Sequence, residues 1–173
     1  EEYQGEEYPK ELLYSQRMTK WLEQLEPEAS EALQLAARAQ HIRRWEIPRE
    51  SYPEGRAAYK QWRQRLMEFH AAKTGEILRD VGYHDETIAR VQSLLKKKDL
   101  KRNPEAQTLE DVICLVFLEN YFADFSRQHD EEKLMRILKK TWAKMSERGH
   151  EVALTLPLSE EARALVEKAL GRH

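Results

Sequence analysis

The chain has 173 residues, of which 35% are charged and 40% hydrophobic, and its formal net charge is −2 with neutral histidines. The length fits one domain with one substantial core, and the composition excludes disordered and collagen-like classes. The near-neutral charge argues against bulk adhesion to nucleic acid or anionic lipid, so any anion site must be local. We therefore expect one domain over residues 1–173, with a flexible tail over residues 1–8.

The sequence gives no sign of membrane insertion or export. No apolar run approaches the roughly 20 residues of a membrane span, and the start, EEYQGEEYPK, is acidic where a signal peptide would be basic and then apolar. The single cysteine, Cys114, lies in the apolar run VICLVFL, which predicts a buried thiol and excludes an intramolecular disulfide. We expect a cytoplasmic monomer without membrane contact.

Apolar positions recur every three or four residues along almost the whole chain, which predicts an all-α fold, a single-domain bundle of about six or seven helices. The predicted helices span residues 9–25, 27–45 and 54–80, start at residues 85 and 104, and span residues 130–148 and 159–170. The link EVALTLPL, between the last two, is predicted to be extended.

Positive charge is concentrated in residues 41–63, HIRRWEIPRESYPEGRAAYKQWR, where five arginines and one lysine face three glutamates, a net charge of +3. A solvated charged surface is one explanation. The other is a basic pocket for a small anion, because arginine binds phosphate or carboxylate through a planar fork and the rings can stack on a planar group or on the arginines themselves. The candidate ligand-binding residues here are Arg43, Arg44, Trp45, Arg56, Tyr59 and Arg63.

Two histidines and two carboxylates lie beside predicted core faces. His41 and His70 are each on or next to an apolar stripe, while Asp111 and Glu119 bracket the apolar centre of the helix that starts at residue 104. A buried carboxylate needs a partner or a shifted pKa, so these four residues form either structural networks or one pocket shared with the arginines. The prediction to be tested is that they meet in one pocket.

Several segments, among them PKELLYSQRMTKWL, LQLAARAQHIRRWEIPR, LEDVICLVFLE and KTWAKMSERG, resemble domain-of-unknown-function family 4202 across nearly the whole chain. The family has no established activity. The resemblance therefore implies one intact domain and no particular mechanism.

A more distant resemblance concerns the HD-domain metal phosphohydrolases, whose layout is similar to the order YSQRM, LAARAQHI, FHAAKTGEILRDVGYHDETIARVQSLLKK and EAQTLEDVICL. In that superfamily, histidines and aspartates hold metal ions that activate water for attack on a phosphoester. The resemblance implies catalytic or metal-ligating roles for His41, His70 and Asp111.

Three positions depart from that pattern. Tyr14 stands where the first histidine would be, Ile42 replaces the aspartate of the His-Asp pair, and Lys97 or Lys98 takes the place of the last histidine. The remaining ligands are too few for tight metal binding, which predicts a relative with little or no metal. Lys97 would instead add a positive charge for the ligand.

The leading hypothesis is an HD-like domain, degenerate as a metal phosphohydrolase and without a cofactor, that binds a phosphorylated metabolite or nucleotide. One alternative is an active phosphoester hydrolase with a divalent metal at His41, His70 and Asp111, joined by Glu119. The other is a non-enzymatic RNA- or protein-binding module that exposes Trp45 and surface arginines.

Overall fold

A computed structural model describes residues 2–3, 6–7 and 9–171, and within them the predicted all-α fold is confirmed. The described helices are α1 (Lys10–Leu25), α2 (Glu31–Arg38), α3 (Arg56–Asp80), α4 (Asp85–Leu95), α5 (Pro104–Val116), α6 (Phe122–Gln128), α7 (Glu131–Lys144), α8 (Glu147–Ala153) and α9 (Glu160–Ala169). A π-helical turn, Phe117–Tyr121, joins α5 to α6. No helix in this part of the chain is long and apolar enough to cross a membrane.

Of the predicted tail, residues 1–8, the structure describes only two short strands. These are β1 (Glu2–Tyr3) and β2 (Glu6–Glu7), which pair in antiparallel fashion. The other residues of that segment lie outside the described part of the chain.

The chain divides into two compact units, residues 1–106 and residues 107–173, which we call unit 1 and unit 2 and describe separately. In unit 1, α2 packs against α1 and α4, and α3 packs against α4. In unit 2, α9 packs against α6 and α7. The expectation of a single domain stays a prediction.

Helix α2 is shorter at both ends than the predicted helix over residues 27–45. It begins after Ser30, whose side chain accepts a hydrogen bond from the Leu33 N–H at 3.1 Å and so caps the helix. It ends at Arg38, and two short 3₁₀ turns, Arg44–Glu46 and Arg49–Ser51, follow before α3. The predicted extension was wrong because the chain leaves the helix well before the turn at Arg43, which has left-handed backbone angles.

The predicted helix over residues 130–148 is two helices in the structure. Helix α7 ends at Lys144, and Ser146 starts α8 by accepting a hydrogen bond from the Gly149 N–H at 3.1 Å. The prediction of an extended link was wrong at its start, since α8 continues to Ala153. Gly149, just beyond the predicted end at residue 148, is a buried residue inside this helix.

Candidate functional site

The turn between α2 and α3 positions the first predicted site residues. Arg43 adopts φ 50° and ψ 34°, and the Arg44 N–H donates to the His41 carbonyl at 3.1 Å, which closes a tight turn. Farther along, the indole N–H of Trp62 donates to the Ile47 carbonyl at 2.9 Å. Helix α3 therefore fixes the segment that carries His41 and Arg44.

His41 lies between an aromatic ring and a guanidinium group. The Tyr14 ring stacks on the imidazole with ring centroids 3.6 Å apart and planes 7° from parallel. Arg44 Nη1 lies 2.7 Å from His41 Nε2 and 3.3 Å from Nδ1. An in-plane hydrogen bond to one ring nitrogen would leave the other much farther away, so the guanidinium lies over the ring face. The His41 ring is thus packed between the Tyr14 ring and the Arg44 guanidinium group.

Glu11 of α1 supplies a carboxylate beside this stack. Its Oε2 lies 3.4 Å from His41 Nδ1, and the Glu11 side chain is only 14% exposed. Burial alone would raise the pKa of Glu11, but the contact with His41 and the charges of Arg44 and Lys10 outweigh it, and the pKa is lowered. Glu11 is therefore ionised at neutral pH.

Both imidazoles of this cluster are neutral at physiological pH. Burial is the main cause that lowers the pKa of His41 to about 4; the charges of Arg44 and Arg63 act in the same direction, and Glu11 opposes them. Burial, then His41 and Arg44, lower the pKa of His70 to about 3. Their role is therefore that of neutral hydrogen-bonding groups.

His70 faces His41 from α3 and has an unsatisfied ring nitrogen. The two ring centroids are 6.3 Å apart, and the His70 residue is only 5% exposed. Its Nε2 is buried without a hydrogen-bond partner among the described residues, as is Oγ1 of Thr74, one turn farther along α3. Buried polar atoms are nearly always hydrogen-bonded, so this face of α3 offers positions for a missing polar partner.

The aromatic rings of the basic segment support the arginines. Arg44 Cζ lies 5.1 Å from the centroid of the buried Trp62 ring, and Arg49 Cζ lies 5.9 Å and 6.0 Å from the Tyr59 and Trp62 ring centroids. The rings were predicted to stack either on a planar ligand group or on the arginines, and in the structure Trp62 and Tyr59 contact arginines.

Arg44 and Arg63 form the cationic part of the cluster. Burial, followed by the charge of Arg63, lowers the pKa of the Arg44 guanidinium. No carboxylate among the described residues forms an ion pair with either arginine within 4.0 Å, and Arg63 is half-buried. The charge of Arg63 thus acts on Arg44 as a like charge, which the Glu11 carboxylate opposes.

Most of the other ligand-binding residues predicted in unit 1 are more exposed to solvent than Arg44. Trp45 is 65% exposed and Tyr59 47% exposed, and Arg56, at the start of α3, is also exposed. Arg43 pairs with Glu46 at 3.8 Å across the surface. Lys97 is half-buried and follows α4.

Asp111 and Glu119 belong to unit 2. Asp111 is 5% exposed, and its Oδ1 accepts from the Ser146 N–H at 2.8 Å and from Gln107 Nε2 at 3.2 Å, while Oδ2 accepts from the Ser146 hydroxyl at 2.5 Å. The carboxylate therefore joins α5 to the start of α8. Glu119 is half-buried in the π-helical turn and accepts from Asn120 Nδ2 at 3.3 Å. That these carboxylates share a pocket with the histidines stays a prediction.

The family described as Domain of unknown function (DUF4202) matches residues 1–166. The chain belongs to this family. The match confirms the family prediction and covers both units of the DUF4202 chain except the last residues of unit 2. No curated protein and no solved structure matches the chain. The HD-domain resemblance stays a prediction.

The metal site that the HD resemblance implies does not fit the donors that the described residues of this DUF4202 chain offer. No group of three or more His, Cys, Asp and Glu side chains in the described residues is arranged to hold a metal ion. His41 has Glu11 on one ring nitrogen and Arg44 over its face, and a guanidinium in that place repels a cation. The oxygens of Asp111 are already hydrogen-bonded to Ser146. We therefore assign no step to a metal.

Sequence reasoning missed Glu11 in the DUF4202 chain. The signal was present: Glu11, Tyr14 and Met18 are spaced by three and four residues, so they share one face of α1. Tyr14 and Met18 are buried, which puts the Glu11 carboxylate at the end of a buried stripe. Its pairing with His41, 30 positions along the chain, needed the fold.

Proposed function

We propose that unit 1 binds a small anionic molecule at Arg44 and Arg63, with His70 as a neutral hydrogen-bonding group. The observation that carries the proposal is the placement of two guanidinium groups near each other without an ion-paired carboxylate among the described residues. Burying charge without a partner is costly, so such a cluster is stabilised when an anion binds. The guanidinium fork suits phosphate and carboxylate equally.

The neighbouring groups support binding rather than turnover. The Trp62 ring and His41 hold Arg44 in place, which limits the entropy that a ligand must remove on binding. The unpaired Nε2 of His70 offers a further hydrogen bond. All these residues come from unit 1. The lone, buried Cys114 suits a reducing compartment, so we place the ligand among cytoplasmic metabolites.

The proposal is tested by measuring the affinity of the purified protein for inorganic phosphate, acetate, a phosphomonoester and a nucleoside monophosphate by calorimetry. Arg63→Gln should weaken the binding of whichever of these anions binds by roughly tenfold or more, because a charged hydrogen-bond donor contributes about 1.5–3 kcal/mol. Arg65→Gln is the matched control, since Arg65 is exposed two positions farther along α3. The proposal is rejected if no anion binds, or if both variants weaken binding equally.

A second candidate is an RNA-binding surface, which the 65% exposure of Trp45 beside the exposed Arg43 favours. The burial of Arg44 against Trp62 speaks for the small ligand, because that arginine is not spread on the surface. A short single-stranded RNA in the same assay separates the two candidates. Binding that depends on Trp45 and Arg43 but is unchanged in Arg63→Gln would support the RNA surface instead.

A further inference from the structure

Two polar side chains on the buried face of α3 have a polar atom without a hydrogen-bond partner. His70 and Thr74 are 5% and 4% exposed, and His70 Nε2 and Thr74 Oγ1 form no hydrogen bond with any described residue. The two residues are one helical turn apart, so they are neighbours on the same face of α3. Burying such atoms unpaired costs stability, and nearly all buried polar atoms have a partner. A bound molecule that supplies hydrogen bonds here would recover that cost.

These two atoms adjoin the proposed anion site. The centroid of the His70 ring lies 6.3 Å from that of the His41 ring, and Arg44 Nη1 lies 2.7 Å from His41 Nε2. A ligand whose anionic end is bound by Arg44 can therefore extend past His41 to His70 and, one turn farther along α3, to Thr74. Because both atoms are buried, the ligand reaches them only when the side chains around them move.

The chemistry of the two side chains indicates which ligand group would pair with them. His70 is neutral at physiological pH, because burial lowers its pKa to about 3, and Thr74 has no charge. A neutral imidazole and a hydroxyl can each donate or accept a hydrogen bond, and so can a hydroxyl group of a ligand. A second charged group of the ligand would lose its hydration against two uncharged side chains. A neutral hydroxyl group is therefore the best match.

We propose that the ligand of unit 1 is a hydroxylated anion, such as a sugar phosphate or a sugar acid, whose hydroxyl groups form hydrogen bonds with His70 Nε2 and Thr74 Oγ1. This inference rests on the proposed anion site and names its ligand class. The unpaired atoms lower the stability of the free protein and contribute affinity when a hydroxylated ligand binds. An alkyl phosphate or a simple carboxylate leaves them unpaired and binds less tightly.

The test compares anions that differ only in their hydroxyl groups: ribitol phosphate with pentyl phosphate, and gluconate with hexanoate. Dissociation constants and Tm values are measured by calorimetry for the unmodified protein, for Thr74→Val and for Thr19→Val. Valine has nearly the shape of threonine but no hydroxyl group. Thr19 is the matched control because its hydroxyl already has a partner, the Ser15 carbonyl, to which it donates at 3.0 Å.

We expect the hydroxylated member of a pair to bind roughly tenfold more tightly than its alkyl counterpart. Thr74→Val should reduce this ratio by roughly three- to tenfold. The same variant should raise the Tm of the free protein by roughly 2–4 °C, because it removes an unpaired buried hydroxyl. Thr19→Val should leave the ratio unchanged and should not raise the Tm.

Three results overturn this inference alone. The first is equal binding of both members of each pair by the unmodified protein, a comparison that needs no variant. The second is an unchanged ratio in Thr74→Val. The third is a lower Tm for Thr74→Val, because the hydroxyl would then have a partner in the free protein. If none of these anions binds to the unmodified protein, the proposed site is overturned as well.

Discussion

Replacing Asp111 with alanine should destabilise the protein strongly, because Asp111 joins two helices of unit 2. Its carboxylate accepts the Ser146 N–H at 2.8 Å, the Ser146 hydroxyl at 2.5 Å and Gln107 Nε2 at 3.2 Å, and the residue is 5% exposed. A hydrogen bond to a charged group contributes about 1.5–3 kcal/mol, and such contributions do not add fully within one network. We expect a loss of roughly 3 kcal/mol, which lowers Tm by roughly 6–12 °C.

The assay is chemical denaturation followed by far-ultraviolet circular dichroism. Asp111→Asn should lose less than the alanine variant, because its amide oxygen still accepts from the Ser146 N–H. Asp124→Ala is the control: Asp124 and its partner Arg127 are each 76% exposed, and an exposed ion pair of this kind contributes about 0–1 kcal/mol. If Asp111→Ala costs no more than Asp124→Ala, the reasoning that Asp111 joins α5 to α8 is wrong.

Two further predictions concern unit 1. Because the folded state holds His41 and His70 neutral with pKa values of about 4 and 3, the unfolded chain binds more protons below pH 6.5, and the free energy of unfolding should fall as pH drops from 6.5 toward 4. A His41→Gln, His70→Gln double variant should lose less stability over that range when denaturation is measured at each pH. An unchanged dependence of its stability on pH would contradict the pKa assignment. Trp62→Phe removes the hydrogen bond to the Ile47 carbonyl and should lower the free energy of unfolding by about 1 kcal/mol. The peptide bond after Arg49 should then be cleaved faster by trypsin. Equal digestion of both proteins would show that Trp62 does not fix the segment between α2 and α3.

Helix positions followed largely from local sequence, whereas the breaks between helices did not. The spacing of apolar residues located α1, α3, α4 and α9 to within a few residues of their observed bounds. The division between α7 and α8 depends on Ser146, whose N–H and hydroxyl are bound by Asp111, 35 positions earlier in the chain. No local pattern contains that partner, so the sequence alone predicts one helix over residues 130–148.

In the candidate site, too, local sequence predicted some of the residues, whereas the burial of each side chain depends on the fold. His41, His70 and Arg44 were predicted from local features, a polar residue beside an apolar stripe and a run of arginines, and the fold brings these three together. The large apolar side chains of Tyr59 and Ile77, also on α3, are 47% and 39% exposed. The buried stripe instead runs through Trp62, Leu66, His70, Thr74 and Leu78.

The charge of the site could not be obtained by counting charges along the segment. Residues 41–63 contain three glutamates, which on the sequence alone would offset half of the six positive charges. In the fold these three glutamates are exposed, and Glu46 pairs with Arg43 on the surface. Among the described residues, the carboxylate that acts on Arg44 belongs instead to Glu11, on α1. The charge around Arg44 thus depends on the packing of α1 against the turn after α2, and one substitution at Glu11 should change it without altering the arginines.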